Sequence, residues 1–155
     1  METTHATAAN DAHAIQDRWG AGLGGGFVVI PSVLLQHQGE LGLDCEEMVV
    51  LANLLSHWWH DERMPYPRTE SIAKRTGISR RTVQRRIKQL EAKGFLKRRA
   101  MLSEETARGL TQYDLHGTVE RLKPLGVKAR ETRELNQRRI EQPGLPGRVL
   151  TAGES

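Results

Sequence analysis

Apolar side chains recur at helical spacing most clearly in "CEEMVVLANLLSHWWH". Met48, Leu51, Leu55 and Trp59 form one stripe there and Val50, Leu54 and Trp58 a second. A helix striped on two sides is covered on two sides, centrally in a domain or at a subunit interface. Asp44 followed by Glu47 is a capping-box-like start, and the pattern predicts a helix from there to about His60. Upstream, the β-branched run "FVVIP" predicts a short strand, and "SVLLQHQGEL" a helix stopping near Gly42. Downstream, Pro65 and Pro67 mark "DERMPYPR" as a loop. Thr69 is expected to cap the helix "ESIAKRTG", ended by Gly77, and Ser79 to cap the next, ended by Gly94. Two strands are expected at Phe95 to Leu102 and Gln112 to Leu115, joined by the polar tip "SEETARG" and followed by a short helix, "GTVERLKPL".

The two helices of "TESIAKRTGISRRTVQRRIKQLEAKG", with their tight glycine turn, have the dimensions of a helix-turn-helix. Ile72, Ala73, Ile78, Val83, Ile87 and Leu90 are the positions where they must pack. At about 100° per residue, Ile87 and Leu90 fall within about 40° of Val83, and Arg81, Arg85 and Lys88 at roughly 140° to 200°. The basic cluster therefore lies opposite the core.

Charge sharpens this picture. From Ile78 to Arg99 there are nine basic side chains (Arg80, Arg81, Arg85, Arg86, Lys88, Lys93, Lys97, Arg98, Arg99) and one acid, Glu91. Like charges on a helix repel unless something anionic sits against them, and a solvated face normally interleaves acids. None occurs from Ser79 to Leu90. The pattern points to double-stranded DNA, with the helix of residues 79–93 in the major groove. Arg80, Arg81, Thr82, Gln84 and Arg85 are the candidate base readers, because arginine can hold guanine O6 and N7 with two hydrogen bonds. Ser79, Lys88, Lys97, Arg98 and Arg99 are the candidate phosphate contacts, with strand alternation sending Lys97 and Arg99 to one face of the hairpin.

The whole chain, 155 residues with net charge +4 and pI about 9.6, has room for one ordinary domain plus tails. Cys45 is the single cysteine, so no internal disulfide is possible and a reduced, cytoplasmic setting is expected. No apolar run reaches the length of a membrane span, and no secretory leader pattern opens the chain. Residues 1–26, ending in "GAGLGGG", are expected to be a mobile arm. Gly20, Gly22 and Gly25 spell a dinucleotide-binding pattern, but it precedes the strand-like run instead of following one. His57 and His60 beside Asp61 and Glu62 lack a third well-placed metal ligand, and no catalytic set stands at a recognisable spacing. The expectation is a non-enzyme without metal or cofactor.

The stretch "ESIAKRTGISRRTVQRRIKQLEAKGFLKRR" resembles the winged helix-turn-helix of bacterial regulators and replication proteins. With "FVVIPSVLLQHQGELGLDCEEMVVLANLL" and "QYDLHGTVERL" it is similar to the N-terminal domain of DnaD-type primosomal proteins, over about Phe27 to Leu125. The resemblance implies a mainly α fold with a small β-wing. In that family the N-terminal winged helix supports oligomerisation and a separate C-terminal domain contributes DNA binding. No second domain is expected here, which shifts DNA binding to the wing and helix. The expected organisation is an arm (1–26), a winged helix-turn-helix domain (27–125), a charged helix (126–141) too sparsely apolar for a coiled coil, and a disordered tail (142–155). The expected role is a sequence-specific transcriptional regulator. Plasmid or phage replication control is the alternative, and a protein-interaction and oligomerisation module is the rival from another class. A homodimer is expected, through Val50, Leu54, Trp58 and the Phe27 to Leu35 segment.

Overall fold

The structure, a computed structural model, describes the backbone of residues 13–103 and 106–141 and the side chains of 13–101 and 109–140. Its order is α1 (13–19), a 3-10 turn Gly20–Gly25, α2 (Ser32–Gln36), α3 (Cys45–Leu55), α4 (Thr69–Thr76), α5 (Arg80–Ala92), β1 (Lys97–Ser103), β2 (Thr106–Asp114) and α6 (His116–Glu141). β1 and β2 pair antiparallel, Lys97 opposite Asp114 and Arg98 opposite Tyr113. The fold is mainly helical with a two-stranded hairpin, as expected. No helix among the described residues is long and apolar enough to cross a membrane.

Local signals set the helix starts. Asp44 accepts from the Glu47 amide at 2.8 Å while the Glu47 carboxylate accepts from the Asp44 amide at 2.9 Å, a complete capping box for α3. Ser79 accepts from the Thr82 amide at 3.1 Å to cap α5. Gly77 ends α4 at φ 74°, a left-handed conformation that a side chain would strain. Thr69 departs from expectation. It is the first helical residue, and Arg68 takes the cap position without a side-chain bond. The packed helices share one core, with Leu51 and Leu54 of α3, Ile72 of α4, and Val83, Ile87 and Leu90 of α5 essentially without solvent exposure.

Several expected elements differ. Residues 26–31 form no strand, because no described strand lies beside them and β propensity without a partner does not make a sheet. α2 is one short turn and a half, followed by turns in which Gly42 has φ 69°. α3 stops at Leu55, where the His57 and Trp58 amides bond three residues back, to Leu54 and Leu55. That exit packs Trp58 edge-on against His116 and Trp59 against Phe27. The hairpin strands run into the expected tip on both sides. Residues 13–25 of the supposed mobile arm are helical, and the closing helix and the charged helix are one continuous α6 despite Pro124 within it. The expected disordered tail lies outside the described residues. Val50 and Leu54 are fully buried in the chain's own core, so the second stripe of α3 is not free for a dimer contact.

The start of α6 docks on the turn after α5. Thr118 Oγ1 donates to the Phe95 carbonyl at 2.8 Å, and a Cβ on Gly117 would run into the Gly94 carbonyl oxygen and lie 3.1 Å from the Phe95 carbonyl carbon. Alanine gains up to about 1 kcal/mol of helix propensity over glycine. Backbone cannot yield as a flexible side chain would, so Gly117→Ala is expected to lower stability by about 1–3 kcal/mol net in a denaturant melt.

Candidate nucleic-acid interface

A groove of about 870 Å³ opens between α5, the first turn of α4 with the loop before it, and β2. Tyr113 donates its amide to the Pro65 carbonyl at 2.8 Å, drawing that loop alongside β2. Pro65 and Pro67 have no amide hydrogen to extend the pairing. Among the described residues, six basic side chains (Arg68, Arg80, Arg81, Arg85, Lys88, Arg98) and one acid, Glu70, line the groove. Electrostatically it is a site for a polyanion.

Of the expected base readers, Arg80, Arg81, Gln84 and Arg85 line this groove, and Thr82 does not. The Thr82 hydroxyl accepts from Ser79 Oγ at 2.9 Å, so both side chains serve the start of α5. Of the expected phosphate contacts, Lys88 and Arg98 line the groove, whereas Ser79, Lys97 and Arg99 do not. Lys97 and Arg99 do share a face, but strand alternation makes it the other side of the hairpin from Arg98. The groove-facing wing residue is therefore Arg98. Sequence reasoning missed Tyr66, Arg68 and Glu70. Their only signal was their place immediately before or within the first turn of the first helix of the pair.

The nine basic side chains separate into two groups. Five are paired within the chain. Arg86 meets Asp44 at 2.9 Å and Glu46 at 2.5 Å, Lys93 meets Glu47 at 2.6 Å, and Arg80 meets Glu70 at 3.0 Å. Arg98 meets Glu91 at 2.5 Å and Arg99 meets Asp114 at 3.0 Å. The hydrogen bonds from Arg98 hold the Glu91 carboxyl below its usual range. Glu47 is 1% exposed at its side chain, so α5 is tied to the start of α3 by a largely desolvated carboxylate. Arg81, Arg85, Lys88 and Lys97 have no ion pair among the described residues, and the first three face the groove.

His57 and His116, near the Trp58 turn, are engaged in structure. His57 bonds Arg75 at 2.8 Å, and His116 bonds Asp114 through Nδ1 at 2.7 Å and Asp61 through Nε2 at 2.9 Å. Both His116 nitrogens face carboxylates, so the ring donates twice as an imidazolium. Those hydrogen bonds raise its pKa against the lowering effect of burial. Burial pushes the Asp114 carboxyl up, but His116 and Arg99 together outweigh this and leave it lowered. Burial, then Arg75, lowers the pKa of His57. A raised histidine contributes stability that is present below about pH 6.5 and lost as pH rises through its folded value. The lowered His57 and Asp114 contribute stability lost as pH falls through theirs. Stability should therefore decline on the alkaline side of the histidine range. His116→Gln should abolish that decline while leaving an acid-side loss, as read by denaturant melts across pH.

Residues 41–96 match the family model described as a helix-turn-helix domain. Comparison with curated proteins gives no match. Among solved structures the chain is similar to the N-terminal domain of DnaD protein from Geobacillus kaustophilus HTA426. The TM-score is 0.51 and the identity 24%, covering 76% of this chain and 96% of that one. Residues 41–96 thus match a helix-turn-helix domain, and the fold around them is like that of the DnaD N-terminal domain.

Proposed function

We propose that this protein binds double-stranded DNA sequence-specifically, placing α5 in the major groove and acting by binding and not by catalysis. The observation that carries this reading is the groove face of α5. Arg81, Arg85 and Lys88 stand there without an ion pair among the described residues, while Arg86 of the same helix and Lys93 at its C-terminal end are neutralised by acids at the start of α3. Arg81, Arg85, Gln84 and Arg80 read base edges, and Lys88 and Arg98 take phosphate. Recognition by one helix covers few base pairs, so the functional unit is a homodimer on a two-fold site. The setting is transcriptional regulation at the bacterial nucleoid. The DnaD-like fold favours plasmid or phage replication control as a second reading. Exposed Phe27, Val29 and Trp59 favour a protein-interaction module as a third.

Selection of bound sites from a random duplex library tests this directly. Enrichment of one short motif is expected, with affinity falling as salt rises by roughly 0.9 log units per log unit for each phosphate contact. Oligomerisation with no duplex affinity would overturn the DNA reading in favour of the third.

A further inference from the structure

Among the described residues, Glu70 is the sole acid lining a groove with six basic side chains. It sits in the first turn of α4, with Oε1 3.0 Å from Arg80 Nη1 and Oε2 accepting from Thr69 Oγ1 at 3.4 Å. Arg80 is the first residue of α5, the end of a recognition helix that approaches base edges. Its bond to Glu70 uses Nη1 and leaves the Nε–Nη2 edge without a partner among the described residues. That edge is a fork of the kind that holds guanine O6 and N7. The first helix of such a pair crosses the DNA backbone. Here the first turn has no cap side chain; the Ser71 amide bonds the Arg68 carbonyl and the Glu70 amide its own carboxylate, and with Arg68 beside it the turn would attract phosphate in any register if that carboxylate were lost. A carboxylate in the same turn opposes that attraction. Both members of the Glu70–Arg80 pair are more than half exposed, so the pair is weak and answers readily to what approaches it.

Resting on the DNA-binding reading above, we propose that Glu70 sets the specificity of this groove. It positions Arg80 for a base edge and repels backbone phosphate from the first turn of α4. DNA lying in other registers is thereby disfavoured, and Glu70 lowers non-specific affinity more than specific affinity.

The test compares wild type, Glu70→Gln, Arg80→Ala and the double variant on the selected duplex and on a random-sequence duplex. Glu70→Gln is expected to melt like wild type and to bind random duplex about three- to five-fold more tightly, the range of a surface ion pair. Its salt slope on random duplex should steepen by roughly 0.9, as a freed Arg80 gains a phosphate. Selected-site affinity should not rise in parallel. In the Arg80→Ala background Glu70→Gln should no longer cost selected-site affinity, because nothing remains to position, while random-duplex affinity still rises as the repulsion of phosphate is lost. An unchanged ratio of selected to random affinity, with an unchanged salt slope, would overturn the inference and leave the DNA reading standing. A wild-type protein without duplex affinity would overturn both.

Discussion

Ile87→Ala is expected to lower folding stability by about 2–5 kcal/mol, the cost of lost burial plus an incompletely collapsed cavity. Ile87 is 2% exposed and packs in the shared core between α5 and its neighbours. It also forms part of the groove floor, so the cavity would open beneath the basic face without removing a charge from it. A urea melt measures the loss. Duplex affinity at temperatures where the variant is still folded should remain near that of wild type, because binding fails only through unfolding. Unaltered stability would place Ile87 outside the structural core.

The second large effect concerns binding. Arg81 and Arg85 are exposed, line the groove and make no ion pair among the described residues, so removing either leaves no buried acid without a partner. Stability should change by no more than about 0.5 kcal/mol. Arg86 is the informative contrast. It lies on the same helix but is 17% exposed at its side chain and clamped by Asp44 and Glu46, so its loss acts on the fold. Each of Arg81→Ala and Arg85→Ala should cost specific binding about 1–3 kcal/mol and relax preference at one or two base pairs. Lys88→Ala should weaken all sequences alike, because an ammonium on phosphate carries no base information.

The features legible in the sequence were those set by neighbours in the chain. The Asp44–Glu47 box, the Ser79 cap and the left-handed Gly77 depend on residues within three positions, and the buried Val83, Ile87 and Leu90 follow from helical periodicity alone. What escaped depends on distant partners. Arg86 and Lys93 counted toward the unbalanced charge of residues 78–99 because their acids, Asp44, Glu46 and Glu47, lie some forty residues earlier at the start of another helix. Val50 and Leu54 looked available to a second copy because a stripe does not say which chain covers it. Arg98, and not Lys97 or Arg99, faces the groove because the hairpin's orientation is fixed by packing of β2 against the Pro65 loop. "FVVIP" carried strand propensity but found no strand beside it.

The most direct measurement of the central claim is the affinity of the Arg81→Ala/Arg85→Ala double variant for the selected duplex, taken alongside its melting temperature on the same sample. A wild-type melting temperature is expected together with a loss of specific affinity larger than that of either single variant, about 1–3 kcal/mol, though not their simple sum, because residues four apart on one helix face are coupled. The preference for the selected over the random duplex should shrink with it. Wild-type affinity and wild-type preference in a folded double variant would contradict the assignment of α5 as the element that reads DNA.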